Sequence, residues 1–301
     1  MLKQILIAFV VAGLAGFGWL YYDRTSNPEI SLPQDNITVR EVSETALNGS
    51  ETLSLEETTQ RFNDFTGLPQ FTQISTETVG YFNQTDGTTV AGYLAMPEGE
   101  GPFPALVLIH EWWGLNDNIR DLAEQYAAEG YVALAVDLYE GESATTPDEA
   151  GALAGEVREN TEGAFANLDA ALAFLRNQPN VDDNRLGSVG WCFGGQWSYN
   201  MAKNNLGTNA SVMYYGRFSA EDDLSMMRSQ ILGHFGENDR GILVDDVEQF
   251  KAKLNTLEGE HAVYIYPNAG HAFANEDSDA YVEEAAEKAW ERTIEFLEAN
   301  L

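Results

Sequence analysis

Three short strings hold the residue types that acyl-transfer chemistry uses. Gly190-Trp191-Cys192-Phe193-Gly194-Gly195 follows the G-x-nucleophile-x-G pattern of a nucleophile elbow, with cysteine where serine is usual. The glycines have a physical purpose. A nucleophile on a sharp, strained turn needs flanking positions without side chains, so that strand and helix can approach. A helix starting just after Cys192 would offer free N–H groups and its dipole to negative charge on the sulfur. GENDR supplies Asp239 and NAGHAF supplies His271, so the chain order is nucleophile, acid, histidine. In such a set His271 takes the thiol proton and later protonates the leaving group. Asp239 fixes the imidazole tautomer. Asp245 and Asp246 are alternative acids, because Asn-Asp before Arg240 is also ordinary turn chemistry. A lone cysteine is otherwise a small buried hydrophobe, so these roles require that distant segments converge.

The pattern of elements supplies that convergence. TVGYFN and TTVAGYLAM, separated by QTDG, predict a β-hairpin. PALVLIH (104–110) and YVALAVDLY (131–139) are continuous apolar runs, as buried parallel strands require. RLGSVGW, ASVMYYG, QILGHFGEND and HAVYIYP predict four more strands. Helices are expected over 118–129, in one long stretch over 148–178, and over 194–203, 244–257 and 281–299. Strands alternating with helices give βαβ units, hence a mainly parallel sheet covered on both faces. Ligands bind beyond the carboxyl ends of such strands, and Cys192, Asp239 and His271 all fall there. The oxyanion hole would join the backbone N–H of Phe193 to that of Trp112, in the segment after PALVLIH. Trp113, Tyr139 and Phe273 occupy loop positions suited to an apolar pocket wall, which points to an apolar or aromatic acyl group.

Composition narrows the alternatives. With 301 residues, 44% of them hydrophobic, the chain can bury a substantial core. Acidic residues number 48 against 16 basic ones, a net charge of −32, which repels phosphate backbones and argues against nucleic-acid binding. Such a surface also suits high salt, where screening weakens self-repulsion. A single cysteine excludes an intrachain disulfide and a cysteine-based zinc cluster, and no metal or cofactor is expected. The uncharged run from Ile5 to Tyr22 is long enough for a transmembrane helix and is expected to act as a signal anchor or signal peptide over 1–22. Trp19, Tyr21 and Tyr22 suit a membrane interface and favour the uncleaved anchor. A polar spacer over 23–75, with a short helix near 54–62, would then lift a domain over 76–301 away from the membrane, on the periplasmic or extracellular side.

Together HEWWGLNDNIRDLA, GYVALAVDLY, RLGSVGWCFGG, MYYG, GENDR and AGHAFAN resemble the dienelactone hydrolase family, over about three quarters of the chain. The resemblance implies an α/β-hydrolase fold and maps the family's cysteine, aspartate and histidine onto Cys192, Asp239 and His271. It also matches Glu111 to a glutamate that contacts the resting, neutral thiol and shifts when substrate binds. A carboxylate near a thiol holds the proton on sulfur, so that trigger is physically sensible. Two arginines that clamp the lactone's carboxylate in the family are missing: their positions are Gly141 and Asn275. Neutral residues cannot copy bidentate, charge-assisted bonds, so dienelactone itself is not expected as substrate. Arg217 or Arg240 would have to supply a cation from another direction.

The expected function is hydrolysis of a small-molecule ester, lactone or thioester through an acyl-Cys192 enzyme, by a catalytic domain expected to be monomeric. Acyl transfer, and a non-catalytic membrane-tethered binding protein on the same fold, remain as alternatives.

Overall fold

The structure, a computed structural model, describes residues 73–84 and 87–301. The expected anchor over 1–22, the helix near 54–62 and the spacer as far as residue 72 lie outside those residues. Among the described residues no helix is long and apolar enough to cross a membrane.

Eight strands form one sheet: β1 (Ile74–Asn83), β2 (Thr89–Pro97), β3 (Phe103–Ile109), β4 (Val132–Val136), β5 (Val181–Trp191), β6 (Ala210–Tyr214), β7 (Gln230–Gly236) and β8 (Ala262–Tyr266). Their order is β1-β2-β4-β3-β5-β6-β7-β8. The β1–β2 and β2–β4 pairs are antiparallel, and every other pair is parallel. The hairpin therefore closes one edge of a parallel sheet. β4 and β6 are buried at every position and β3 over its last five residues, which explains their unbroken apolar runs. β1 is mostly exposed, as an edge strand can be.

Among the described residues six helices cover the sheet: α1 (Asp117–Ala128), α2 (Pro147–Glu159), α3 (Thr161–Arg176), α4 (Phe193–Lys203), α5 (Val244–Leu254) and α6 (Glu283–Asn300). α1 and α6 bury Ile119, Tyr126, Ala289 and Leu297 in one core cluster with Leu106, Leu108 and Val212. α3 and α4 bury Leu168, Leu172, Trp197 and Met201 in another, with Val107, Ile109 and Val136. Successive strand residues point to opposite faces, so β3 feeds both clusters and the sheet is covered on both sides. The single helical stretch expected over 148–178 is two helices. Asn160 ends α2 at φ −103° and ψ 56°, and its side chain accepts the Gly163 N–H that opens α3. A capping asparagine satisfies the orphan donors of a new helix start, and its signal is hidden between two apolar periodic segments. At the other end of α2, Thr146 and Glu149 form a capping box with Pro147 in the first turn.

Candidate active site

Cys192 is the hinge between β5 and α4. It caps the helix at φ 55° and ψ −109°, a left-handed conformation that costs a non-glycine residue about 1–3 kcal/mol. Its N–H bonds the Tyr214 carbonyl at 2.9 Å and its carbonyl accepts the Gln196 N–H. The flanking glycines make this turn possible. A Cβ on Gly190 would collide with the Gly194 carbonyl, one on Gly194 with the Ile109 carbonyl, and one on Gly195 would lie 2.6 Å from the Tyr214 carbonyl. Close packing of α4 against the ends of β3 and β6 thus dictates the Gly-x-Cys-x-Gly-Gly string.

His271 and Asp239 come from loops after β8 and β7 and meet the sulfur in one relay. His271 Nε2 lies 3.1 Å from Cys192 Sγ, and His271 Nδ1 lies 2.7 Å from Asp239 Oδ2. Asp239 is buried, and its other oxygen accepts the Gly241 and Ile242 N–H groups at 2.7 and 3.2 Å. Burial pushes this carboxyl up, but the His271 bond and the two backbone donors outweigh it and hold the acid below its usual range. Burial likewise pulls His271 down, yet its bonds to Asp239 and Cys192 raise it to about 10. These two bonds favour the protonated ring, which can donate from both nitrogens. Such a relay can keep the sulfur's proton on the ring and later deliver it to a leaving group. The alternative acids, Asp245 and Asp246, lie exposed in the first turn of α5.

Glu111 makes no hydrogen bond to Cys192 among the described residues. Its Oε2 accepts from Asn275 Nδ2 at 2.7 Å, while the Cys192 sulfur faces His271. The other oxygen, Oε1, and the hydroxyl of Tyr215 are both buried without a well-formed hydrogen bond, although the hydroxyl lies close enough to Glu111 to favour its charged form. Burial raises the Glu111 carboxyl, and the Asn275 bond, the Tyr215 hydroxyl and the His271 charge offset only part of that. A neutral amide thus holds the glutamate where the family resemblance puts an arginine. The other arginine position, Gly141, has φ 96° and gives its N–H to Asp137 Oδ2 at 2.6 Å. A side chain there would be strained whatever its charge.

Trp112 and Phe193 occupy the places expected of the oxyanion donors. Phe193 opens α4, where N–H groups lack intrahelical partners, and Trp112 lies in the turn after β3. Neither N–H makes a hydrogen bond within the described residues. Two expected wall residues are buried instead. Phe273 is fully buried, packed 5.5 Å from the Tyr215 ring and 5.0 Å from the Tyr266 ring, because Ala272 turns the chain inward at φ 60°. Tyr139 is buried against the rings of His110 and Phe193 and donates its hydroxyl to the Trp112 carbonyl at 3.2 Å. Both hold loops in place. Trp113 is half-buried, its ring edge-on to Trp112. Arg217 is exposed on the rim of an open cleft of about 410 Å³ that Gly241, Ile242, Asp246 and Gln249 also line.

The sequence offered no signal for His110 beyond its place beside Glu111, nor for Asn275 as a holder of Glu111. Tyr215 stood out only as one aromatic among several, yet it occupies a strained conformation at φ 37° with its ring 5.1 Å from His271. Among the described residues no three His, Cys, Asp or Glu side chains gather as a metal site requires.

Known proteins with the same organisation fix the family. The model of the dienelactone hydrolase family matches residues 90–301. A Synechocystis protein named "Putative carboxymethylenebutenolidase" is 31% identical over 230 residues, covering 70% of this chain and 92% of its own. Protein usf of Aquifex pyrophilus is 33% identical over 225 residues, covering 72% and 96%. The crystal structure of a "Putative Dienelactone Hydrolase" from Klebsiella pneumoniae superposes with a TM-score of 0.66 at 28% identity, over 75% of this chain and 99% of that one. The α/β-hydrolase sheet, the glycine-framed elbow and these relatives lead to one conclusion: the chain belongs to the dienelactone hydrolase family and is a hydrolase of esters or lactones.

Proposed function

We propose that the enzyme cleaves an uncharged or aromatic carboxylic ester, lactone or thioester through an acyl-Cys192 intermediate. The observation that carries this is the unbroken relay from Cys192 Sγ to His271 Nε2 at 3.1 Å and from His271 Nδ1 to Asp239 at 2.7 Å. The sulfur attacks the carbonyl carbon, and the carbonyl electron pair moves onto oxygen. The N–H groups of Trp112 and Phe193 receive that oxyanion. Collapse re-forms the carbonyl and expels the alcohol, enol or thiol, which takes the proton held on His271 Nε2. His271, now neutral, removes a proton from water. The resulting hydroxide equivalent attacks the thioester, and the acid departs as the proton returns to the Cys192–His271 pair. Asp239 holds the ring's orientation throughout and keeps its positive charge favourable.

The substrate is not expected to carry a carboxylate in the position that an arginine pair would hold, since Gly141 and Asn275 occupy those places. Trp113 would pack on the acyl or leaving group, and Arg217 would meet any distal negative charge. Burial of Glu111 would make a second negative charge near the sulfur less favourable. Residues 1–22 would tether this domain to the outer face of a membrane through the spacer that follows.

The test is hydrolysis of aryl esters by the protein and its Cys192→Ala and His271→Ala variants. Turnover should fall by a factor of about 10⁴ or more in each variant, as loss of a nucleophile or its base does elsewhere. Undiminished turnover in either variant rejects the mechanism.

A further inference from the structure

We infer that His110 is a positioning residue that sets both halves of the oxyanion hole, by fixing the Glu111–Trp112 peptide and by stacking on Phe193. The inference rests on the proposed acyl-cysteine chemistry and adds to it a residue that touches neither substrate nor sulfur.

The imidazole of His110 is completely buried at the end of β3. Its Nε2 is 3.1 Å from the Leu138 N–H, and its Nδ1 is 2.5 Å from the Glu111 carbonyl oxygen. A backbone N–H can only donate, so Nε2 must be the bare, accepting nitrogen. The proton therefore sits on Nδ1 and is donated to the Glu111 carbonyl. Burial favours this neutral ring by lowering its pKa. The two bonds tie the turn after β3 to the turn after β4.

The consequence follows from peptide geometry. In a trans peptide the carbonyl and the following N–H point in opposite directions. Holding the Glu111 carbonyl against His110 turns the Trp112 N–H away from the ring, and it meets no acceptor among the described residues. Gly114 also donates to the same carbonyl, at 3.3 Å, so the peptide is pinned from two sides. Tyr139 completes the frame: its ring meets His110 edge-on at 4.6 Å, and its hydroxyl holds the Trp112 carbonyl.

The other donor is set by stacking on the same imidazole. His110 and Phe193 stack with centroids 5.7 Å apart and planes inclined by 15°. Beneath them Gly194 packs directly on the Ile109 and His110 carbonyls, contacts that any side chain would obstruct. One imidazole thus fixes the direction of one donor and the seating of the segment that bears the other. Oxyanion stabilisation depends on donors already in place when charge develops, so a loosened peptide loses rate without losing the nucleophile.

Two reactions of Cys192 separate this role from simple structural support. Alkylation by iodoacetamide displaces iodide and forms no oxyanion, whereas acylation by p-nitrophenyl butyrate must form one. His110→Phe keeps the stacking ring but has no N–H to donate. It should lose acylation rate by roughly 10²-fold, the cost typical of losing one oxyanion donor, with alkylation close to that of the parent. His110→Gln retains a donor and an acceptor but loses the ring that stacks on Phe193, and should recover part of the acylation rate. An unchanged ratio of acylation to alkylation in His110→Phe, or no recovery in His110→Gln, overturns the inference. A measurement on the unmutated protein needs no variant to fold: ¹⁵N NMR should find His110 protonated at Nδ1 and bare at Nε2, and the opposite tautomer overturns it. Cys192→Ala tells the two claims apart. If that variant still hydrolyses the ester, the acyl-cysteine reading fails and the inference with it. If it is inactive while the ratio in His110→Phe is unchanged, only the role of His110 fails.

Discussion

Asn275 Nδ2 donates to Glu111 Oε2 at 2.7 Å, and this bond places a neutral amide against a buried carboxyl that the Tyr215 hydroxyl also approaches. Burial raises that carboxyl above its ordinary value of 4.5. An acid raised in the folded state favours the protonated form, so its contribution to stability is complete below its unfolded pKa and is lost as pH rises through its folded pKa. Glu111→Gln removes the ionisation. Thermal melts of the two proteins between pH 4 and pH 8 should show the variant gaining on the parent as pH increases. A stability difference that does not change with pH would mean that Glu111 ionises freely in the folded protein.

Asn275→Arg should reverse that balance. A guanidinium beside Glu111 favours the carboxylate and lowers its pKa. The pH-dependent penalty just described should shrink or vanish in this variant. The same change should raise kcat/KM for lactones bearing a carboxylate relative to uncharged esters. Gly141→Arg should not help in this way, because φ 96° strains any side chain there. Competition assays with a charged and an uncharged ester check both statements.

Asp239→Asn keeps the shape of the relay and removes its charge. The amide can present its N–H to His271 and so select the wrong tautomer, a change that lowers kcat by about 10⁴ in a comparable relay. It should also lower the pKa of His271 from about 10, since Asp239 is one of the two groups that hold it there. Cys192→Ala removes the other and should lower it as well. NMR titration of the His271 ring reads both shifts. An unmoved midpoint in Asp239→Asn would show that the carboxylate does not govern the ring.

Gly194→Ala tests the geometry of the elbow. The added Cβ would collide with the Ile109 carbonyl, and neither backbone segment can yield without displacing Cys192. Overpacking of this kind costs on the order of 1–3 kcal/mol or more. Chemical denaturation should show that loss together with a fall in kcat. By contrast Gly151→Ala, in α2 with open space around the same position, should stabilise slightly.

Much of this arrangement was legible in the residues, and what was not has physical causes. Cys192, Asp239 and His271 were readable because each stands at the end of an apolar strand, and the parallel sheet gathers such ends on one edge. The α2–α3 break was hidden, since Asn160 interrupts two segments of similar periodicity and capping depends on one side chain's local bond. Phe273 and Tyr139 follow strands in loops, a position that in sequence suggests a pocket wall. Their burial depends on backbone turns, at Ala272 and around Asp137, that side-chain type does not encode. His110 was invisible for a related reason: its function lies in which nitrogen faces which peptide, a relation across 28 residues of chain.

The central claim is that Cys192 becomes acylated. Mixing the protein with excess p-nitrophenyl butyrate, quenching in acid within the first turnover and weighing the peptides tests it directly. A butyryl mass on the peptide carrying Cys192, formed with a stoichiometric burst of nitrophenol and released on further incubation, is the predicted result. Steady turnover with no adduct at any time, or an adduct on another residue, would contradict it.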